Sequence, residues 1–300
     1  MPSIVQKTSA VNSSTGVTTL TATLSGVTAG NRLVVFAAIK DFSHSFTMSI
    51  SGDGGSWSSR GTQIPNSNAG LAQLWDKVAA GGSVTVTITV SSAVDAIGIV
   101  FWELTPSTFD HIVSAAGGGT SLSVGSITPG TSSGLALCGI WEGNSGAVIT
   151  YTQGSGFSLD SQSNTTNASD WAVAGESKVY STNASITAAW TWNNAASFGA
   201  GIFATYSELV THTIAGNAGV AGANVAWTGA ASGSVTADGS GNYTTSGLAD
   251  GSYTITPTKS GYTFSPTNSG QTLAGSNITG VNFTATPVGG SGGSVVCIMQ

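Results

Sequence analysis

Residues 81–104, GGSVTVTITVSSAVDAIGIVFWEL, return 102 residues later as NASITAAWTWNNAASFGAGIFATY at 183–206. In the first copy Val84, Val86, Ile88 and Val90 alternate with hydroxyl residues, the two-residue period of a strand with one buried face. Ile186, Ala188, Trp190 and Trp192 take those places in the second copy, Asn193-Asn194 the turn, and Ile202-Phe203 the place of Val100-Phe101. RLVVFAAIKD (32–41) stands against GLALCGIWEG (134–143) at the same offset. The first 207 residues therefore read as one all-β unit made of two related halves, about 1–105 and 106–207.

Short apolar runs punctuated by turns fill both halves. In the first they are Ile4–Ser9, Val17–Leu24, Leu33–Ile39, Phe46–Ser51 and Leu71–Val78. In the second they lie near His111–Ala115, Ser121–Ile127, Leu135–Trp141, Val148–Thr152 and Trp171–Tyr180. Thr28-Ala29-Gly30-Asn31 and Ser51-Gly52-Asp53-Gly54-Gly55 carry turn chemistry. No stretch shows a helical apolar period. The expected architecture is an antiparallel, jelly-roll-like β-sandwich whose halves share two sheets. Gly52–Gly70 and Gln153–Asp170, rich in Ser, Asn and Gly, are expected as loops at one end of it.

Composition narrows the function classes. Only 7% of the 300 residues are charged, against about 25% in an average globular protein. Thirteen acids and seven bases give a net charge of −6 with no basic cluster, which argues against nucleic-acid binding. No run of about 18 apolar residues is available for membrane insertion. Two cysteines, Cys138 and Cys297, make no disulfide framework, and Cys138 inside LALCGIW reads as a small buried hydrophobe. MPSIVQKTSAVNSS has no secretory pattern. A charge-poor β surface without an export signal fits a virion protein, made in the host cytoplasm and released by lysis.

Two resemblances follow from local motifs. Thr28-Ala29-Gly30-Asn31-Arg32-Leu33-Val34-Val35, the hairpin from Gly81 to Val86 and the closing strand Phe198 to Tyr206 resemble a β-sandwich module. That module occurs in tailed-phage structural proteins and some bacterial surface proteins, and the resemblance covers roughly residues 3–207. After Glu208, residues 211–286 carry GNAGVAGANVAWTG, TADGSGNYTTSGLADGSYTITPTKSGYTFSP and NITGVNFTAT. They resemble the carboxypeptidase-regulatory-like, prealbumin-type Ig-like module, through Thr236-Ala237-Asp238, Gly241-Asn242-Tyr243, Gly247-Leu248 and Gly251-Ser252-Tyr253. This resemblance implies a small sandwich over 208–287 with Tyr243, Leu248, Tyr253, Ile255 and Phe264 inward, Phe283 closing the sheet, and a spacer or adhesion role.

Residues 288–300 combine a Gly/Ser linker with the apolar Val295, Val296, Cys297, Ile298 and Met299, suited to adding a strand to a neighbouring copy. Cys297-Ile298-Met299-Gln300 also fits a prenylation pattern, but no polybasic stretch precedes it.

Chemistry is sparse. His44, His111 and His212 stand alone, with no zinc spacing or triad cue. Glu103 and Glu142 could form the carboxylate pair of a glycosidase, but read as strand-end charges facing solvent. Asp238, Asn242 and Asp250 could ligate calcium, though such turn residues commonly bond their own backbone. Trp190 and Trp192 share a face with Ile186 and belong to the core. Trp57 and Trp171, beside the two long loops, are the candidates for glycan or partner contact.

These features predict a non-enzymatic phage structural protein without cofactors, displayed on the virion as decoration, fibre or collar. Its partners would be other virion proteins, copies of itself (a trimer by analogy with virion appendages) and host-surface glycan. The alternative is a bacterial cell-surface or secreted adhesin that binds carbohydrate.

Overall fold

The computed structural model describes residues 1–14, 16–41, 46–65, 70–143, 148–164 and 171–288. It divides into two compact units, Met1–Glu208 and Leu209–Gln300. The tail residues Val295, Val296, Cys297, Ile298 and Met299, and also His44, lie outside the described residues.

The first half supplies β1 (Ile4–Asn12), β2 (Val17–Val27), β3 (Arg32–Lys40), β4 (Met48–Ser51), β5 (Ser58–Pro65), β6 (Gly70–Val78), β7 (Gly82–Val94) and β8 (Ala96–Leu104). They make an antiparallel sheet ordered β1-β8-β3-β6-β5 and a second ordered β2-β7-β4. Strands that alternate between two sheets in the order 1-8-3-6 and 2-7-4 form a jelly roll.

The second half follows the same path with β9 (Ser107–Ile127), β10 (Gly134–Gly143), β11 (Tyr151–Thr152), β12 (Ser158–Asn164), β13 (Trp171–Tyr180) and β14 (Ile186–Glu208). The end of β14 pairs with β10 and with the start of β9, while its beginning pairs with the end of β9 and with β11. Single long strands thus do in this half what β1 with β2, and β7 with β8, do in the first.

Sheet arrangement and edge strands depart from the sequence-based expectation. The halves do not share sheets: every strand pairing of Met1–Glu208 among the described residues lies within one half. The two segments expected as loops each contain an edge strand, β5 and β12. Their side chains are mostly polar because an edge strand needs no continuous apolar face, which hides them from a pattern search.

Three apolar cores result. Leu33, Val35, Val86, Ile88 and Phe101 fill the first jelly roll; Cys138, Ile140, Ile186, Trp190, Trp192 and Phe203 fill the second. The third core joins them face to face and contains Val34, Phe36, Trp102, Trp141, Trp171, Ile202 and Tyr206. There, large rings of one half seat on glycines of the other. A β-carbon added at Gly175 would overlap the Trp102 indole, one at Gly98 the Trp171 indole, one at Gly139 the Phe36 ring and one at Gly70 the Trp141 indole.

Polar ties rim this interface. The Asp160 carboxylate accepts Lys7 Nζ at 2.7 Å and Trp102 Nε1 at 2.9 Å, both from the other half. Arg32 donates twice to the Ser107 carbonyl, at 3.0 and 2.8 Å.

The second unit holds β15 (Ala215–Asn217), β16 (Asn224–Gly229), β17 (Gly233–Thr236), β18 (Asn242–Thr244), β19 (Gly251–Thr258), β20 (Tyr262–Ser265), β21 (Ser269–Leu273) and β22 (Thr284–Pro287). A sheet ordered β17-β16-β19-β21 packs with the pairs β15-β18 and β20-β22 around Val225, Trp227, Tyr243, Leu248, Tyr253, Ile255 and Phe283. Phe264 is half-buried against that core. Tyr243 donates its hydroxyl to the Val281 carbonyl at 2.7 Å, so its polar end is satisfied inside. With a core of its own, a fragment spanning 209–287 is expected to fold alone. Circular dichroism should show a β spectrum and one cooperative melt; a coil-like spectrum would contradict this.

Candidate functional site

The turn from Gly52 to Trp57 leaves β4 and returns into β5. Asp53 sits at φ 58°, a left-handed conformation that Asp tolerates better than most residues. Lys77 on β6 holds this turn from beneath. Its ammonium donates to the carbonyls of Asp53, at 2.7 Å, and of Gly54, and pairs with the Asp53 carboxylate at 3.2 Å. That carboxylate also accepts the Ala80 N–H at 3.0 Å. Both charges are almost fully buried, so neither screening nor exposure weakens the tie.

Trp57 closes the turn. Its indole N–H donates to the Gly52 carbonyl at 3.0 Å, and Lys77 Nζ lies 5.7 Å from its ring centroid. One part of the ring packs on the first core. The rest lines a cleft of about 650 Å³ together with Trp75, Met48, Ile50, Gln73 and the hydroxyl residues Ser49, Ser56 and Ser59. Among the described residues no ionisable side chain lines this cleft.

The second half carries the same device with a different outcome. Lys178 on β13 donates to the Ser155 carbonyl at 3.3 Å and lies 5.6 Å from the Phe157 ring centroid. Phe157, however, is buried in the core beside Phe203. Where Trp75 precedes Lys77 by two residues, Glu176 precedes Lys178, and its carboxylate accepts the Gly154 N–H at 2.7 Å. Burial, only partly offset by that N–H, pushes the Glu176 carboxyl up to about 8.

The remaining candidates resolve as framework. Trp171 is 1% exposed, packed on Trp141 at 6.1 Å between centroids and over Gly98. It offers no face to a glycan, and its assignment as a contact residue is corrected: the strand that follows the loop turns its ring into the interface between halves. Trp190 and Trp192 are buried, and the Trp190 indole N–H points at Cys138 Sγ at 3.4 Å. Burial pushes the Cys138 thiol well above its usual range.

Glu103 and Glu142 are both fully buried, not solvent-facing. Glu103 accepts the Thr28 N–H at 2.9 Å, Asn31 Nδ2 at 2.6 Å and Gln6 Nε2 at 2.6 Å, so it holds the turn before β3. Asp238 accepts the Ser240 and Asn242 N–H groups, both at 2.8 Å, and these bonds hold its carboxyl below the usual range. Asp250 accepts the Gly275 N–H at 2.9 Å and lies 3.5 Å from His212. His111 pairs with Asp110 at 2.8 Å. Among the described residues no three His, Cys, Asp or Glu gather as a metal-binding group, and no helix is long and apolar enough to cross a membrane.

Sequence reasoning missed Trp75, Lys77 and Asp53. The available signal was the repeat itself, since Lys77 and Lys178 stand in corresponding strands.

No protein-family model matches the sequence, and no curated protein does. Among solved structures, the TIE protein of Bacillus anthracis matches at 11% identity and TM-score 0.25, over 59% of this chain and 41% of its own. The group B streptococcus pilus 2b backbone protein matches at 11% identity and TM-score 0.24, over 92% and 97%. The major pilin SpaD of Corynebacterium diphtheriae matches at 10% identity and TM-score 0.24, over 92% and 98%. Likenesses this weak transfer no role.

Proposed function

We propose that this chain is a non-enzymatic protein of an extracellular surface, displaying a rigid double jelly roll alongside an Ig-like unit. One observation carries the reading: acids of the larger unit are built into its frame, while an outer sheet presents hydroxyls. Asp76, Asp160, Glu103 and Glu176 are tied to Arg60, Lys7, the Thr28–Asn31 turn and Gly154. Across β2 and β7, Thr19, Thr21 and Thr23 stand opposite Thr89, Thr87 and Thr85, and Ser49 and Ser51 on β4 continue the rows. A scaffold of this kind works by holding a neutral surface in place, not by offering a reactive carboxylate.

The surface is that of a bacterial cell, with a virion particle as the other placement of the same architecture. Copies of the chain assemble there, through sheet edges or through the apolar segment Val295–Met299. Surface proteolysis of intact cells and mass spectrometry of purified particles from the same culture separate the placements. Recovery only in the cytosolic fraction would overturn both. Light scattering should find oligomers of the full chain, and a monomer for a chain ending at Pro287 would assign assembly to the tail.

A further inference from the structure

We infer that the Trp57 cleft is a binding site for a neutral sugar ring of a glycan, an inference that deepens the surface-display reading and rests on it. The argument begins with the duplication, which provides an internal comparison. Both halves keep a lysine from the sixth strand of the jelly roll under the turn that follows the fourth, with an aromatic ring beside it. In the second half that ring is Phe157, closed into the core, and a buried glutamate fastens the turn. In the first half the ring is Trp57, half-exposed, and the glutamate's strand position is held by a second indole, Trp75. The same frame thus carries a core ring, Phe157, in one copy and a partly exposed indole, Trp57, at the edge of a cleft in the other, with Trp75 buried beneath it.

The cleft's chemistry selects the ligand class. A pyranose has an apolar C–H face and a rim of hydroxyls. Indole surfaces receive the face, and short hydroxyl and amide side chains meet the rim. Trp57 supplies the first, above a floor that includes the buried Trp75; Ser49, Ser56 and Ser59 stand where the second is needed. With no ionisable side chain among the described residues of the lining, none of these offsets the desolvation of a carboxylate or sulfate, so an uncharged sugar is favoured. Preorganisation adds to this. The Trp57 indole is fixed by its bond to Gly52, and the turn is fixed by Lys77 and Asp53, so little side-chain freedom is lost on binding.

The test uses the full chain and intrinsic tryptophan fluorescence, titrated with neutral hexose oligomers of several linkages and N-acetylglucosamine oligomers, and with oligogalacturonate as the anionic counterpart. Saturable quenching or blue shift by at least one neutral oligomer is expected, with oligogalacturonate about tenfold weaker or silent. Trp57→Ala should weaken binding about tenfold or more when titrated well below its own melting temperature, and Trp57→Phe should restore part of it. Phe157→Ala, after correction for its stability loss, should leave binding intact. No saturable response to any neutral oligomer, or equal binding by Trp57→Ala, overturns the site. Either failure leaves surface display standing, because proteolysis of intact cells tests that separately.

Discussion

Trp102→Ala is expected to lower the stability of the larger unit by about 3–5 kcal/mol, the usual cost of deleting a buried indole. Trp102 is fully buried at the centre of the face joining the two jelly rolls. Its ring lies over Gly175, and its indole N–H bonds the Asp160 carboxylate at 2.9 Å. Truncation therefore opens a cavity and removes one donor from a carboxylate that retains Lys7 and Ser177. The converse change, Gly175→Val, overfills the same seat and should cost about 1–3 kcal/mol. If ring and glycine form one lock, the two changes couple: the double variant should recover about 1 kcal/mol or more relative to the sum of the singles. Urea melts of the four proteins measure this. Strict additivity would show that the contact does not act as a unit.

The same geometry bears on the isolated first half. Residues 1–105 contain a complete jelly roll, yet the separated half would expose Val34, Phe36, Val100, Trp102 and Leu104 on one sheet face. Its failure as a soluble monomer would follow from that uncovered face and not from missing strands. An apolar face with glycine seats and aromatic knobs is also built to meet a near-copy of itself, which is what the second half provides.

What was legible in the sequence was what local alternation encodes. Val84, Val86, Ile88 and Val90 and their counterparts Ile186, Ala188, Trp190 and Trp192 mark one-faced strands, and the structure buries them. Short strands with short connections pointed to a jelly-roll-like sandwich, expected as one shared by both halves, whereas each half forms its own. Sheet membership was not legible. Ser107–Ile127 reads as two strands interrupted by Gly117-Gly118-Gly119, yet it runs as one, passing between layers through irregular pairing with β14. Trp57 and Trp171 gave the same signal, a tryptophan beside a polar segment. Their difference lies in where each ring turns: Trp171 onto Gly98 and Trp141, distant in sequence, and Trp57 back onto Gly52 of its own turn, with Lys77 beside it. Glu103 misled for a similar reason. A strand-end glutamate is normally solvated, but here a turn 72 to 75 residues away folds over it and supplies N–H donors.

Glu176 leads to the second large effect, in which stability depends on pH. The side chain lies on β13 opposite Cys138, on the face that carries Ala172 and Ala174 into the second core. Burial disfavours its charged form, the Gly154 N–H offsets part of that, and the nearby Asp160 charge adds to it. The folded carboxyl titrates at about 8, against 4.5 for the ordinary group. Below pH 4.5 the group is protonated in both states and costs nothing. Between 4.5 and 8 the unfolded chain releases this proton while the folded chain keeps it, so stability falls as pH rises. Across that window the loss is on the order of 4–5 kcal/mol, from about 1.4 kcal/mol per pH unit. Glu176→Gln keeps an acceptor for Gly154 and removes the titration. The variant should therefore match the parent near pH 4.5 and exceed it progressively up to pH 8. Guanidinium melts at half-unit intervals read the two curves directly. Parallel curves would show that the Glu176 carboxyl ionises in the folded protein as it does in the unfolded chain.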